Sequence, residues 1–145
     1  MILTGADIKQ YIKHGGLRFE PELSDEQFQQ NGVDLILAAV DHKTDGNVRF
    51  SLGTTRERVT MPNDLMAFVG LRSSWARRGI GMMGLTVVDA GFIGDITLEI
   101  QWYPKLCGAL PVGERFVHLI FEKLCTPSAP YAGKYQEQRG ITEAR

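Results

Sequence analysis

From residue 33 onward the chain consists of short apolar stretches separated by Gly, Pro, Asn and Asp, at intervals too close for long helices. Residues 33–37 read as a strand and Asp45-Gly46-Asn47 as a hairpin turn. Residues 48–52, 58–60 and 65–71 continue the series, with Met61-Pro62-Asn63-Asp64 as a turn. Val87-Val88 and residues 96–101 flank the pair Gly91 and Gly94, and residues 116–121, entered through Pro111-Val112-Gly113, form the last strand. Many short strands with little helix predict a mainly all-β fold, a distorted β-barrel or jelly roll.

Helical character is confined to the start. Thr4-Gly5-Ala6-Asp7 has the form of a capping box with an aspartate as its acid. Ile8, Tyr11 and Ile12 follow at helical spacing, and Gly15-Gly16 supplies a stop, so a short N-terminal amphipathic helix is expected. Residues 24–30 are expected to add one helical turn. Beyond residue 127 the apolar pattern gives way to Pro, Gly, Gln and charge. The chain therefore divides into a single β domain over 1–127 and a tail over 128–145, expected to be frayed or ordered by a ligand or a neighbouring subunit.

At 145 residues the chain suffices for one ordinary domain, and a net charge of −1 gives it no long-range attraction for nucleic acid. Its apolar stretches are too short to span a bilayer, and the N-terminus has no signal-peptide pattern. A cytoplasmic protein is expected, with Cys107 and Cys125 as reduced, partly buried thiols. No partner role for nucleic acid or membrane is expected.

Missing motifs narrow the chemistry. None of His14, His42 and His118 is followed two positions later by glutamate, and the two cysteines are far apart, so the zinc site of the nucleobase deaminases is not encoded. There is no phosphate-binding P-loop and no G-x-S-x-G elbow. A hydrolase built from these residues must activate water with carboxylates and hydrogen-bonding groups.

Five segments, in order, carry a family resemblance: Gln30-Asn31-Gly32-Val33-Asp34-Leu35, residues 52–59, Arg72-Ser73-Ser74-Trp75-Ala76-Arg77, residues 88–99, and Gly133-Lys134-Tyr135-Gln136-Glu137-Gln138 within 131–140. Together they resemble the dCTP deaminase/dUTPase superfamily, in its deaminase-like branch, over nearly the whole chain. The resemblance implies a dUTPase-like jelly-roll homotrimer with active sites between subunits, acting on dCTP or dUTP bound with Mg²⁺ and without zinc.

The implied roles fit the residue types. Deaminating cytosine requires water to add at C4 and ammonia to leave, and one carboxyl alternating between acid and base serves both steps. Glu99 is the implied carboxyl; its place in Asp95-Ile96-Thr97-Leu98-Glu99-Ile100 puts it on the polar row of a strand, where a solvated glutamate is the plain alternative. Ser73 would orient the water, and Arg77 would fix the carboxylate and balance charge. By likeness to the dUTPase branch, Asp89 is implied to contact the deoxyribose and position the water that attacks phosphorus, or else is a turn residue before Gly91. Arg72, Ser74, Tyr131, Lys134 and Gln138 are the implied phosphate and substrate ligands. Phe92 would pack against the sugar or simply belong to the core. Asp34 would reach Mg²⁺ through water or cap a strand end.

Some features depart from the deaminase pattern. Ser73 and Asp89 stand sixteen positions apart, the separation expected of dUTPases and one short of that in dCTP deaminases. Gly84-Leu85-Thr86-Val87 replaces the deaminase Thr-Ala-His segment, and His118 stands where a glutamine is usual, at an implied subunit contact. Arg77, Glu99 and the Gly-Lys-Tyr-Gln segment are deaminase-like. The implied activities are a dCTP deaminase, including a bifunctional form that releases dUMP and pyrophosphate; a dUTPase on a deaminase-like scaffold; and a non-catalytic nucleotide sensor.

Overall fold

The computed structural model describes residues 1–145. Helix α1 (Gly5–Gln10) begins at a complete capping box between Thr4 and Asp7 and passes into a π-type turn (Tyr11–Gly15). Gly16 ends it in the left-handed region, at φ 83°, where glycine carries no side-chain penalty. After β1 (Arg18–Glu20), a 3-10 turn (Asp25–Gln27) leads into β2 (Phe28–Gln29). The long strands β3 (Gly32–His42) and β4 (Arg49–Thr60) form a hairpin, and β5 (Leu65–Leu71) leads to the four-residue helix α2 (Ser73–Ala76). Then follow β6 (Ile80–Met82), β7 (Thr86–Val88), β8 (Ile93–Trp102), a turn of helix α3 (Pro104–Cys107) and β9 (Arg115–Lys123).

All strand pairs are antiparallel, in the order β6-β8-β4-β3-β9-β5-β7, with β1 beside β4 and β2 beside β3. This is the expected curled, mainly β architecture. β3 makes the corner: Val33 to Ile36 pair with β9, and Leu37 to His42 pair with β4. Two sheets sharing one bent strand can enclose a core between their inner faces. Phe19 and Phe121 meet edge to face at 6.3 Å, and Leu35, Leu98, Ile100 and Phe116 are completely buried. Truncating a buried phenylalanine such as Phe116 is the kind of change that costs about 3–5 kcal/mol.

Three features differ from the sequence reading. Residues 49–60 form one strand rather than two, because a register shift between Thr54 and Arg58 absorbs the polar run Thr55-Arg56-Glu57 as a bulge. Glu57 at that bulge is fully buried. Its carboxylate accepts hydrogen bonds from the Ile36 amide at 2.9 Å, Gln27 Nε2 at 3.0 Å and the Arg56 guanidinium at 2.8 Å. The strands β1 and β6 and the helices α2 and α3 are too short to show a period. The tail, lastly, is docked in its own protomer.

Candidate active site

Strand β8 shows how sequence places the cleft. Its apolar positions Ile96, Leu98, Ile100 and Trp102 point inward and are buried, so Asp95, Thr97 and Glu99 are delivered to the opposite face. Glu99 and Thr97 thereby line a cleft of about 410 Å³, the size of a small-molecule pocket. Its far wall comes from Thr86 to Asp89 at the end of β7 and from Phe92. Gly91, at φ 76°, lets the chain turn there, and the Phe92 amide donates to the Asp89 carbonyl at 3.1 Å. Asp89 is exposed into this cleft, whereas Phe92 is buried and meets Tyr131 edge to face at 5.9 Å. Phe92 thus serves the core and the cleft wall at once.

The tail closes the third side. Tyr131, Tyr135, Gln138 and Thr142 line the cleft. Gln136 Oε1 accepts from the Ile93 amide at 2.8 Å, and its amide nitrogen reaches the carbonyls of Gly91 and Tyr131. Gln138 forms a parallel bridge to Gly94, and the Thr142 amide donates to Thr97 Oγ1 at 3.2 Å. Lys43 binds both Asp41 and Glu143, and those hydrogen bonds hold its ammonium pKa above the ordinary lysine range. The tail thus lies docked along β8 through contacts within the protomer. Two of the expected substrate ligands are engaged within the protomer: Gln138 Nε2 donates to the Asp95 carbonyl at 2.6 Å, and Lys134 Nζ binds the Arg145 carbonyl. Tyr135 and Thr142 were not singled out from the sequence; only their position in the tail signalled them.

The arginine-serine segment lies elsewhere. Arg72, Ser73 and Ser74 line a second cleft of about 370 Å³ together with Asn31, Asp34 and His118. Asp34 is buried at its floor, with Arg72 Nε at 3.0 Å, His118 Nδ1 at 2.9 Å and Arg115 at 3.6 Å. A carboxylate flanked by two arginines and a histidine is an anchor for Arg72, and those three neighbours leave it poorly placed to hold a metal directly. No three His, Cys, Asp or Glu side chains converge on a common point. His118, expected at a subunit contact, is engaged with Asp34.

One protomer does not unite the four expected catalytic residues. Glu99 and Asp89 share the first cleft, Ser73 belongs to the second, and Arg77 is exposed and lines neither. Around the loop between β6 and β7, Met83, Leu85 and Val87 are exposed, as are Tyr103 and Leu106. The cysteines are free; Cys125 is exposed rather than partly buried, and burial pushes the Cys107 thiol pKa up, away from nucleophilic use. No helix is long and apolar enough to cross a membrane.

Comparison with known proteins follows the same lines. The model of the family described as dCTP deaminase-like matches residues 46–124. A protein named probable deoxyuridine 5'-triphosphate nucleotidohydrolase, from Sulfolobus islandicus rod-shaped virus 1, is 39% identical over 163 aligned positions, covering 100% of this chain and 99% of the relative. A dCTP deaminase of Hyperthermus butylicus is 38% identical over 181 positions, covering 100% and 99%. Both alignments are longer than the 145-residue chain, so each relative carries segments that this chain lacks. In fold, the chain is similar to the dCTP deaminase from Agrobacterium tumefaciens, with a TM-score of 0.63 at 17% identity, covering 86% of this chain and 49% of the other. It is also similar to the Staphylococcus bacteriophage 80alpha dUTPase, with a TM-score of 0.56 at 14% identity, covering 85% and 99%. With its central strands matched by the family model and relatives above 30% identity along its full length, the chain belongs to the dCTP deaminase-like family.

Proposed function

We propose that this chain is a dCTP deaminase that works without zinc, converting dCTP and water to dUTP and ammonia. The observation that carries the reading is the position of Glu99, on the polar row of β8, inside the same cleft as Asp89, Phe92 and Tyr131. Water adds to C4 of the pyrimidine while a protonated Glu99 gives its proton to N3. The resulting carboxylate takes one proton of the added water and passes it to the amino group, which leaves as ammonia, and it takes the second as the C4 carbonyl forms, returning to its protonated state. Ser73 orients the water and Arg77 steadies the carboxylate, both supplied by a second copy of the chain in a homotrimer. The division of the expected catalytic residues between two clefts supports that assembly. Arg72, Ser74, Lys134 and Gln138 receive the triphosphate, and Phe92 and Tyr131 pack the sugar. Mg²⁺ enters with the triphosphate as part of the substrate.

A second reading is favoured by specific features. Asp89 is exposed into the cleft, and the 39% identical viral relative bears a dUTP nucleotidohydrolase name. In a dUTPase, or in a bifunctional enzyme, Asp89 would position water for attack on phosphorus, giving dUMP and pyrophosphate. Incubating the protein with dCTP and, separately, dUTP in Mg²⁺, with assays for ammonia and pyrophosphate, decides between them. Ammonia alone from dCTP marks the deaminase, and both products from dCTP mark the bifunctional enzyme. Pyrophosphate from dUTP with dCTP untouched overturns deamination in favour of the dUTPase, and no product from either leaves a nucleotide sensor.

A further inference from the structure

Ser73 lies on α2, a helix of one turn, and Arg77 caps its end. Four positions apart, the two share one face, and Trp75 midway between them lies on the other. Ser73, Ser74, Ala76 and Arg77 are exposed, whereas Trp75 is half-buried and packs against the core. A four-residue helix has too few internal bonds to hold its own direction, so contacts from outside must set it.

The indole supplies such a contact. Its Nε1–H donates to the carbonyl of Arg115, the first residue of β9, at 2.8 Å. The same carbonyl accepts Arg72 NH1 at 3.2 Å, and its two lone pairs allow both. Arg78 holds its guanidinium over the ring, 5.0 Å from the centroid. Arg72 has further ties of its own: its amide donates to the Phe116 carbonyl at 3.0 Å, and its Nε lies 3.0 Å from the Asp34 carboxylate. Within α2, it is the indole that is tied to a strand.

We propose that Trp75 is a positioning residue, an anchor on β9 that aims the Ser73 hydroxyl and the Arg77 guanidinium from the opposite face of α2. The proposal rests on the reading of Ser73 and Arg77 as residues of the deaminating site, but one of its readouts is independent of turnover. A group that orients a reacting water loses much of its effect when displaced by about 1 Å. Because Arg72 is held independently, loss of the anchor falls on kcat rather than on KM.

The test is Trp75→Phe, which keeps an aromatic ring beneath Arg78 and removes the N–H. With whichever of dCTP and dUTP the parent turns over, kcat falls about tenfold while KM stays within about threefold. Amide exchange on the full-length protein, followed by NMR, reads the helix itself. The Arg77 amide, bonded to the Ser73 carbonyl at 3.0 Å, exchanges about tenfold faster than in the parent. Arg78→Met removes the stacked charge, leaves the indole in place, and gives the same changes at about threefold. The anchor is refuted if both variants leave kcat and Arg77 exchange as in the parent, or if KM rises by the same factor as kcat falls. Should Trp75→Phe not fold, Arg78→Met decides alone on the same terms. A parent that turns over neither nucleotide, with faster Arg77 exchange in the variants, would instead strike the proposed function and leave the anchor standing.

Discussion

The carboxylate of Glu57 accepts the backbone amide of Ile36 at 2.9 Å, at the point where β3 leaves one sheet for the other. A strand that changes partners exposes an amide that neither ladder satisfies, and a bulge in the neighbouring strand delivers the acceptor. Because the same carboxylate also holds Gln27, Glu57→Ala leaves several buried polar groups without partners. The expected loss is about 2–5 kcal/mol of unfolding free energy in urea titrations. A loss below about 1 kcal/mol would show the corner to be held by packing alone.

Glu99→Gln keeps the size and polarity of the side chain and removes its proton chemistry. Turnover of dCTP is expected to fall by about 10²–10⁴, with nucleotide affinity by calorimetry within a few-fold of the parent. A loss of affinity equal to the loss of rate would make Glu99 a structural residue.

Ser73 and Glu99 sit in separate clefts of one protomer. If a neighbouring copy brings them together, co-expressed Ser73→Ala and Glu99→Gln chains, each inactive alone, form some sites with both residues intact. Random assembly returns about a quarter of parent activity per site. No recovery in demonstrably mixed oligomers argues that each site is completed within one chain.

Tyr131 meets Phe92 edge to face in the cleft wall. Removing that contact with Tyr131→Ala is expected to raise KM by about three- to tenfold, with little change in thermal midpoint, because Tyr131 is only half-buried. A large fall in the midpoint with KM unchanged would assign the tyrosine to stability.

At the N-terminus, hydrogen bonds from the Thr4 hydroxyl, at 2.7 Å, and its amide, at 2.9 Å, hold the Asp7 carboxyl below the ordinary aspartate pKa. A carboxyl depressed in the folded state stabilises above its unfolded pKa, and that contribution fades as pH falls through the folded value. The gap in thermal midpoint between the parent and Asp7→Asn should therefore be widest near neutrality and close below about pH 4. A gap independent of pH would contradict the assignment.

What was legible in the sequence is what repeats or what a turn demands. The alternation around Glu99 placed it on the outward face of β8, and the spacing of Thr4 and Asp7 marked the start of α1. The run Thr54-Thr55-Arg56-Glu57-Arg58 misled for a physical reason: polar residues in a strand normally face water, and nothing local shows that a bulge turns Glu57 into the core. The tail was opaque in the same way. Its bonds run to Arg58, Gly91, Ile93 and Asp95, all distant in the chain, so its composition resembled that of a loose end. Likewise, the motif order put Ser73, Arg77 and Glu99 in one list but carried no information about which surfaces each would occupy.

The tail meets the outward row of β8 at positions 93, 95 and 97, through Gln136, Gly140 and Thr142. The next outward position on that row is Glu99. The strap thus acts as a ruler whose graduations are the two-residue repeat of the strand beneath it, and its last mark falls one step before the carboxylate. A one-residue deletion between Gly140 and Thr142 would shift that mark, changing how much of Glu99 faces the cleft without altering any residue of the cleft itself.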